Sequence, residues 1–275
     1  SQPLKIKLAA PTGKAAARLT QSIQALRTTM QLDQRLQQQI PEAAITLHRL
    51  LGIHRYTHRA RFNQKNPLDC DVLVLDEASM IDQQMMAAIC NALPPHCRLI
   101  LLGDKDQLSS VEAGSVFADL CGGLTRTSFT PQQCDWLEQY FELSINTRES
   151  GFALADNVVV LQKSRRFDDQ SGIGLLAGLV NQGDATESLR LLKLTRESNE
   201  VVWHAHLSKD FITQLKLQTH QTYSAMMQAD SVSQAFELFH QYQILCAVWS
   251  GAAGVDHLNE RIESWLKSVS GILPQ

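Results

Sequence analysis

The residues best suited to chemistry lie in Val72–Met80, VLVLDEASM, where four apolar residues run into two adjacent carboxylates, Asp76 and Glu77. A short unbroken apolar run reads as a strand buried on both faces, as a parallel sheet requires. Ligands of open α/β sheets bind at the carboxyl ends of the strands, so both acids emerge at the ligand edge. Paired carboxylates at the end of a buried strand are costly unless a cation meets them. Mg²⁺ carrying a nucleotide phosphate meets that need, with Asp76 on the metal side and Glu77 beside the attacking water. An isolated acidic pair also fits a solvated turn; the rest of the chain favours the nucleotide.

A similar unit follows in Arg98–Gly114, RLILLGDKDQLSSVEAG: an apolar strand, a Gly turn, then polar groups at its end. Gln107 stands three residues past Asp104. An amide there can donate to a terminal phosphate oxygen or to the attacking water without adding charge. Upstream, Leu4–Ala10 reads as a strand, followed by Pro11-Thr12-Gly13-Lys14 and a helix rich in Ala, Leu, Gln and Arg. A phosphate-cradling P-loop needs G-x-x-x-x-G-K-[ST]. Here the first Gly position holds Leu8 and the residue after Lys14 is Ala15, so both tests fail. What remains is a strand, a tight turn and a helix N-terminus that can hold an anion, a nucleic-acid phosphate as readily as a nucleotide.

From Ala43 to Leu68 there is no acid, while Arg49, Arg55, Arg59, Arg61, Lys65 and the histidines 48, 54 and 58 are present, with Tyr56 and Phe62 interleaved. Within this zone Thr46–Gly52 reads as a capped helical turn closed by glycine. Residues 53–67 are expected to form a basic hairpin, with Tyr56, His58 and Ala60 on one face and Arg55, Arg59 and Arg61 on the other. Cations beside aromatics suit single-stranded nucleic acid.

The elements that position these residues alternate strand and helix, the pattern of an α/β sheet. Asp82 opens a helix that closes near Pro94-Pro95. Residues 121–157 read as an insertion holding one helix, opened at Thr130-Pro131 and running to about Leu143. Its Trp136, Tyr140 and Phe141 either pack locally, the reading favoured by the sequence, or meet a partner subunit. Val158–Leu161 and Gln243–Val248 read as strands, and helices are expected in the glycine-ended SGIGLLAGLVNQG and in VDHLNERIESWL.

The chain has 275 residues, 44% apolar and 19% charged, enough for one large or two ordinary cores. No apolar run is long enough to span a membrane. Net charge is −3, so a polyanion must be met by a local patch rather than a global field. Six scattered cysteines without a C-x-x-C pair suggest neither a disulfide framework nor a zinc site. A reducing, cytoplasmic setting is expected.

Taken in order, PTGKAAARL, TLHRLL, DEAS, GDKDQLSSVEAG, LQKSRRF and ILCAVWSGAAGVDHLNERI resemble the RecD family of superfamily-1 5′-to-3′ DNA helicases, the alpha subunits of exodeoxyribonuclease V. The resemblance implies an α/β, RecA-like P-loop NTPase fold, a parallel sheet sandwiched by helices, here lacking its P-loop strand. It implies a first motor domain over residues 1–160 and the N-terminal part of a second over 161–275. By the same resemblance Asp76, Glu77, Asp104 and Gln107 serve ATP and Mg²⁺, and Arg166 reaches the terminal phosphate from the second domain. Pro11, Thr12, Gly13 and Lys14 touch single-stranded DNA, joined by His48, Arg49, Arg55 and Arg59 around the hairpin near the duplex junction. The implied partners are single-stranded DNA, duplex ends, and the beta and gamma subunits of exodeoxyribonuclease V, with no membrane.

Because the P-loop pattern is missing, the chain reads as an internal segment of a helicase subunit that alone hydrolyses no ATP. The resemblance places the P-loop strand between the strand before GDKDQ and the one before LQKSRRF. Without it, Val158–Leu161 pairs directly with Arg98–Leu102, another chain fills the gap, or the gap opens to solvent. A stand-alone RecD-like or conjugative-transfer helicase, and a non-catalytic DNA- or subunit-binding module, are the competing readings.

Overall fold

The computed structural model describes residues 3–30, 33–54, 56–57, 59–107, 116–147, 154–194, 200–204 and 206–270. The chain divides into two compact units, Ser1–Lys163 and Ser164–Gln275. The first is built on β1 (Ile6–Ala10), α1 (Gly13–Thr29), α2 (Gln34–Gln39), β2 (Ile45–Thr46), α3 (Leu47–Leu51), β3 (Val72–Leu75), α4 (Gln83–Ala92), β4 (Arg98–Leu101), α5 (Val116–Cys121) and α6 (Pro131–Phe141). Its sheet runs β2-β1-β3-β4, all parallel, with Leu75 opposite Ala9 on one side and Leu101 on the other. This is the α/β arrangement of a RecA-like fold, helices flanking a parallel sheet.

Local sequence explains most of the elements. Thr12 caps α1, its hydroxyl accepting the Ala15 N–H at 3.2 Å, and the small Ala15 and Ala16 let the helix lie close to Ala10. Thr46 caps α3, and Gly52 ends it in the left-handed conformation at φ +60, where a side chain would be strained. Asp82 caps α4 by accepting the Met85 N–H at 2.7 Å. Met86, Ile89 and Ala92, at helical spacing, then turn into the core with Leu47, Leu50, Leu51, Leu73 and Leu75. β3 buries Leu73 and Leu75 completely, while Val72 and Val74 are only half-buried, so its two faces are not equally covered.

Three expectations change. Residues 53–67 form a turn-rich excursion rather than a hairpin ladder; the pairing described there is an isolated Asn63–Asn66 bridge. The loop is held by Arg61 and Phe62 donating their N–H groups to the Leu51 carbonyl, which no regular hairpin would allow. Arg55 and His58 lie outside the described residues. Second, Val158–Leu161 joins no strand. Thr127 takes its hydrogen bonds instead, the hydroxyl meeting both the N–H and the carbonyl of Val160. Between this segment and the β4 edge lies an open cleft of about 540 Å³, lined by Leu101, Leu102, Phe117 and Cys121. Of the arrangements foreseen, direct pairing of Val158–Leu161 with β4 does not occur.

The second unit contains α7 (Gly172–Asn181), α8 (Ala185–Leu194), α9 (Lys209–Met227), α10 (Val232–Gln241) and α11 (Val255–Ser270). It holds no strand among the described residues, so Gln243–Val248 is not the expected strand. An apolar run becomes a strand only beside a partner edge, and none of the described residues of this unit supplies one. α10 and α11 pack on α9, whose Leu215 is buried, and Tyr223 stacks on Phe239.

Leu75 is fully buried between two strands and above α4, so Leu75→Ala should destabilise the first unit by about 2–5 kcal/mol in denaturant titration. A loss below 1 kcal/mol would contradict this packing.

Candidate functional site

Each strand of the sheet is followed at its carboxyl end by candidate residues, in a loop or in the first turn of a helix. After β1 come Pro11–Lys14 and after β2 come His48 and Arg49. After β3 come Asp76–Ser79 and after β4 come Gly103–Gln107. The strand order β2-β1-β3-β4 therefore divides the edge. The cationic and phosphate-type candidates occupy the β2–β1 half, and the carboxylates and the amide occupy the β3–β4 half.

The β3 and β4 loops are locked together by backbone. The Ala78 N–H donates to the Leu102 carbonyl at 2.8 Å, and the Leu102 N–H donates to the Leu75 carbonyl at 2.8 Å. A Cβ on Gly103 would sit 3.1 Å from the amide nitrogens of both Ala78 and Ser79, a tight contact that a side chain could make only if the loop gave by a few tenths of an ångström. Asp76 donates its N–H to the Ala9 carbonyl at 3.0 Å, tying the same loop to β1. The carboxylate of Asp76 accepts the Glu77 N–H at 2.9 Å. Glu77 itself is held at φ 54, ψ 42, the left-handed region that a residue with a Cβ enters at a cost of about 1–2 kcal/mol. Strain of this kind collects at functional sites. Both acids are half-buried, and neither has a salt bridge to a lysine or arginine among the described residues. Ser79 is buried, with its hydroxyl unpartnered by protein.

On β4, Asp104 organises its turn. One carboxylate oxygen accepts the Asp106 N–H at 3.0 Å, and the other accepts from the Gln107 side-chain amide at 3.2 Å. Gln107 is thus held at the strand end but stays exposed. Lys105 is engaged with Asp106 at 2.7 Å. Beside this turn the cleft along β4 contains Cys121, whose thiol burial pushes above its ordinary range, with Lys105 opposing.

On the other half of the edge, Thr12 is spent on its cap, while Gly13 and Lys14 are exposed at the start of α1. His48 and Arg49 are exposed on α3, as is Arg59, whose carbonyl accepts the His54 N–H at 3.1 Å. Tyr56 is 83% exposed, with its ring centroid 5.9 Å from that of His54. Arg166 belongs to the second unit. Ser164 accepts the N–H groups of Arg166 and Phe167 at 3.3 and 3.4 Å, forming a tight turn that leaves the Arg166 side chain exposed. A Cβ at Gly174 would collide with the Asp168 carbonyl, so this glycine lets the loop after the arginines lie against α7. Neither close approach, at Gly103 or at Gly174, is visible in the sequence beyond the glycines themselves.

Two half-buried carboxylates without a cation suit the metal end of a magnesium nucleotide. The phosphate end is not provided for: nowhere in the 275 residues does G-x-x-x-x-G-K-[ST] occur. Among the described residues no cluster of three metal-ligating side chains exists, so Asp76 would share the ion with the nucleotide rather than bind it alone.

The left-handed Glu77 can be tested directly. Glu77→Gly and Glu77→Ala both remove the carboxylate, but only glycine relieves the strain. Relief of about 1–2 kcal/mol exceeds the unfolded-state entropy cost of glycine, about 0.5–1 kcal/mol. Glu77→Gly should therefore be the more stable variant in denaturant titration, by about 0.5–1 kcal/mol; the opposite order would contradict the geometry.

The chain is similar to several known proteins. A family model described as an AAA domain matches residues 1–113. The RecBCD enzyme subunit RecD of Haemophilus influenzae is 44% identical over 192 residues, 68% of this chain and 30% of that protein. The corresponding subunit of Mycolicibacterium smegmatis is 35% identical over 271 residues, 97% of this chain and 42% of that protein. An ATP-dependent RecD2 DNA helicase of Deinococcus radiodurans is 37% identical over 111 residues, 40% of this chain and 13% of that protein. The chain spans less than half the length of these relatives. With a parallel sheet whose carboxyl edge carries the acid pair, and with likeness to RecD subunits over nearly all its residues, the chain belongs to the RecD family of superfamily-1 helicases.

Proposed function

We propose that this chain is the motor segment of an ATP-dependent 5′-to-3′ DNA helicase, the alpha subunit of exodeoxyribonuclease V, acting in double-strand break repair and recombination. The observation that carries the reading is the divided sheet edge. Asp76 holds Mg²⁺ on ATP, and Glu77 takes the proton of the attacking water. Asp104 fixes Gln107 against the terminal phosphate. Arg166 stabilises the transferred charge from the second unit. Lys14 and its turn, His48, Arg49, Arg55 and Arg59 grip the backbone of single-stranded DNA at a duplex end. Movement follows if the strap between the halves, Asp76 N–H to Ala9 carbonyl, passes nucleotide state to the DNA half. The beta and gamma subunits are the protein partners. The reach of the RecD similarity, 97% of the chain against 40% for the RecD2 helicase, supports the subunit over a stand-alone helicase.

The acids alone do not retain a triphosphate, because its charge needs the backbone amides and lysine of a phosphate loop. The isolated 275-residue chain should therefore show no DNA-stimulated ATP hydrolysis, whereas a full-length subunit containing it should. In that subunit Glu77→Gln should lower DNA-stimulated turnover about 10²–10⁴-fold. Arg166→Ala should lower it about 10³–10⁵-fold. Turnover by the isolated chain, or full activity of the Glu77→Gln subunit, would refute this reading.

A further inference from the structure

α6 is fastened on one side and bare on the other. The N–H and hydroxyl of Thr130, its cap, donate to the two Asp156 carboxylate oxygens at 2.7 and 2.8 Å. Cys134 is buried, with its thiol directed at the carbonyls of Phe129 and Ile145. On the outward side Trp136 meets both Tyr140 and Phe141, with ring centroids 5.5 and 5.3 Å apart. These three rings and the following Leu143 are 47–63% exposed. They do not pack into the unit, as local packing would require; they pack on one another. Pre-ordered aromatic side chains held in water are the anchors of a protein interface.

Charge selects the partner. Between Thr127 and Thr147 the chain has three acids, Asp135, Glu138 and Glu142, and no lysine, arginine or histidine. Asp135 and Glu138 stand three residues apart on α6, a spacing at which like charges weaken a helix, and Glu142 follows as its C-cap. No salt bridge neutralises them among the described residues. DNA and an anionic bilayer would be repelled. A second copy would set the same acids against each other. A protein surface with an apolar pocket bordered by lysine and arginine satisfies both the rings and the acids.

We propose that the exposed face of α6 docks into such a pocket on a neighbouring subunit of the helicase–nuclease complex. The proposal rests on the subunit reading above. It is tested by titrating the full-length subunit with its beta and gamma subunits and following assembly by sedimentation. The double variant W136S/Y140S should weaken assembly tenfold or more. D135K/E138K/E142K, which keeps the rings, should weaken it at low salt and remove most of its salt dependence. Assembly unchanged in both variants overturns the docking surface and leaves the subunit reading intact. Failure of the unaltered chain to assemble overturns the subunit reading and this proposal with it. If W136S/Y140S instead weakens binding to a single-stranded oligonucleotide, to phosphatidylserine vesicles or to itself, the assignment to a protein pocket is overturned.

Discussion

The hydrogen bond from the Ala78 N–H to the Leu102 carbonyl is the constraint on which the site depends. It extends the β3–β4 ladder by one step past the strands, into the loops that carry the proposed site residues. Gly103 eases the approach, because a side chain there would press on the Ala78 and Ser79 amides. Between the Asp76 N–H held by Ala9 and the Ala78 N–H held by Leu102, Glu77 takes the left-handed conformation. The backbone so held sets the direction in which the Glu77 side chain leaves the loop.

The two edges of the sheet differ in how their charges are met. At the amino ends of the strands, Lys5 pairs with Asp69 at 2.7 Å and His96 reaches Asp71 at 3.3 Å. The hydrogen bond to Lys5 holds the Asp69 carboxyl below its usual range and the Lys5 ammonium above its own. At the carboxyl ends, Asp76 and Glu77 are half-buried and form no such pair among the described residues. Lys105 and Asp106 pair at the carboxyl edge too, so among the described residues the unmet negative charge there is confined to Asp76 and Glu77, where a strand-end cation would be accommodated. The opposite sign stands at Lys14 and Arg49, in the first turns of the helices that follow β1 and β2.

Much of this was legible from residues because it is local. Thr46, Asp82 and Thr130 mark helix starts through side-chain caps that need no knowledge of the fold. The VLVLDEAS run marks an inner strand and its acidic end. What was misread depended on partners distant in sequence. Val158–Leu161 and Gln243–Val248 are apolar enough for strands but have no edge to join. Residues 53–67 alternate like a hairpin, yet Leu51 captures the Arg61 and Phe62 amides that a ladder would use. Neither the left-handed Glu77 nor the close approach at Gly103 is announced by a sequence pattern. The aromatic residues of α6 looked like local core, and only their exposure reveals otherwise.

The central claim is that one sheet edge serves two ligands from separate halves. It is tested most directly in a full-length subunit by measuring the Kd for a single-stranded oligonucleotide without nucleotide, and the Kd for Mg-ATP without DNA, for Lys14→Ala and Asp76→Asn. The account requires Lys14→Ala to weaken DNA binding about tenfold or more, the scale of a lost charge-assisted hydrogen bond, and to leave nucleotide affinity unchanged. Asp76→Asn should do the reverse. If either substitution weakened both ligands alike, the division of the edge would be wrong.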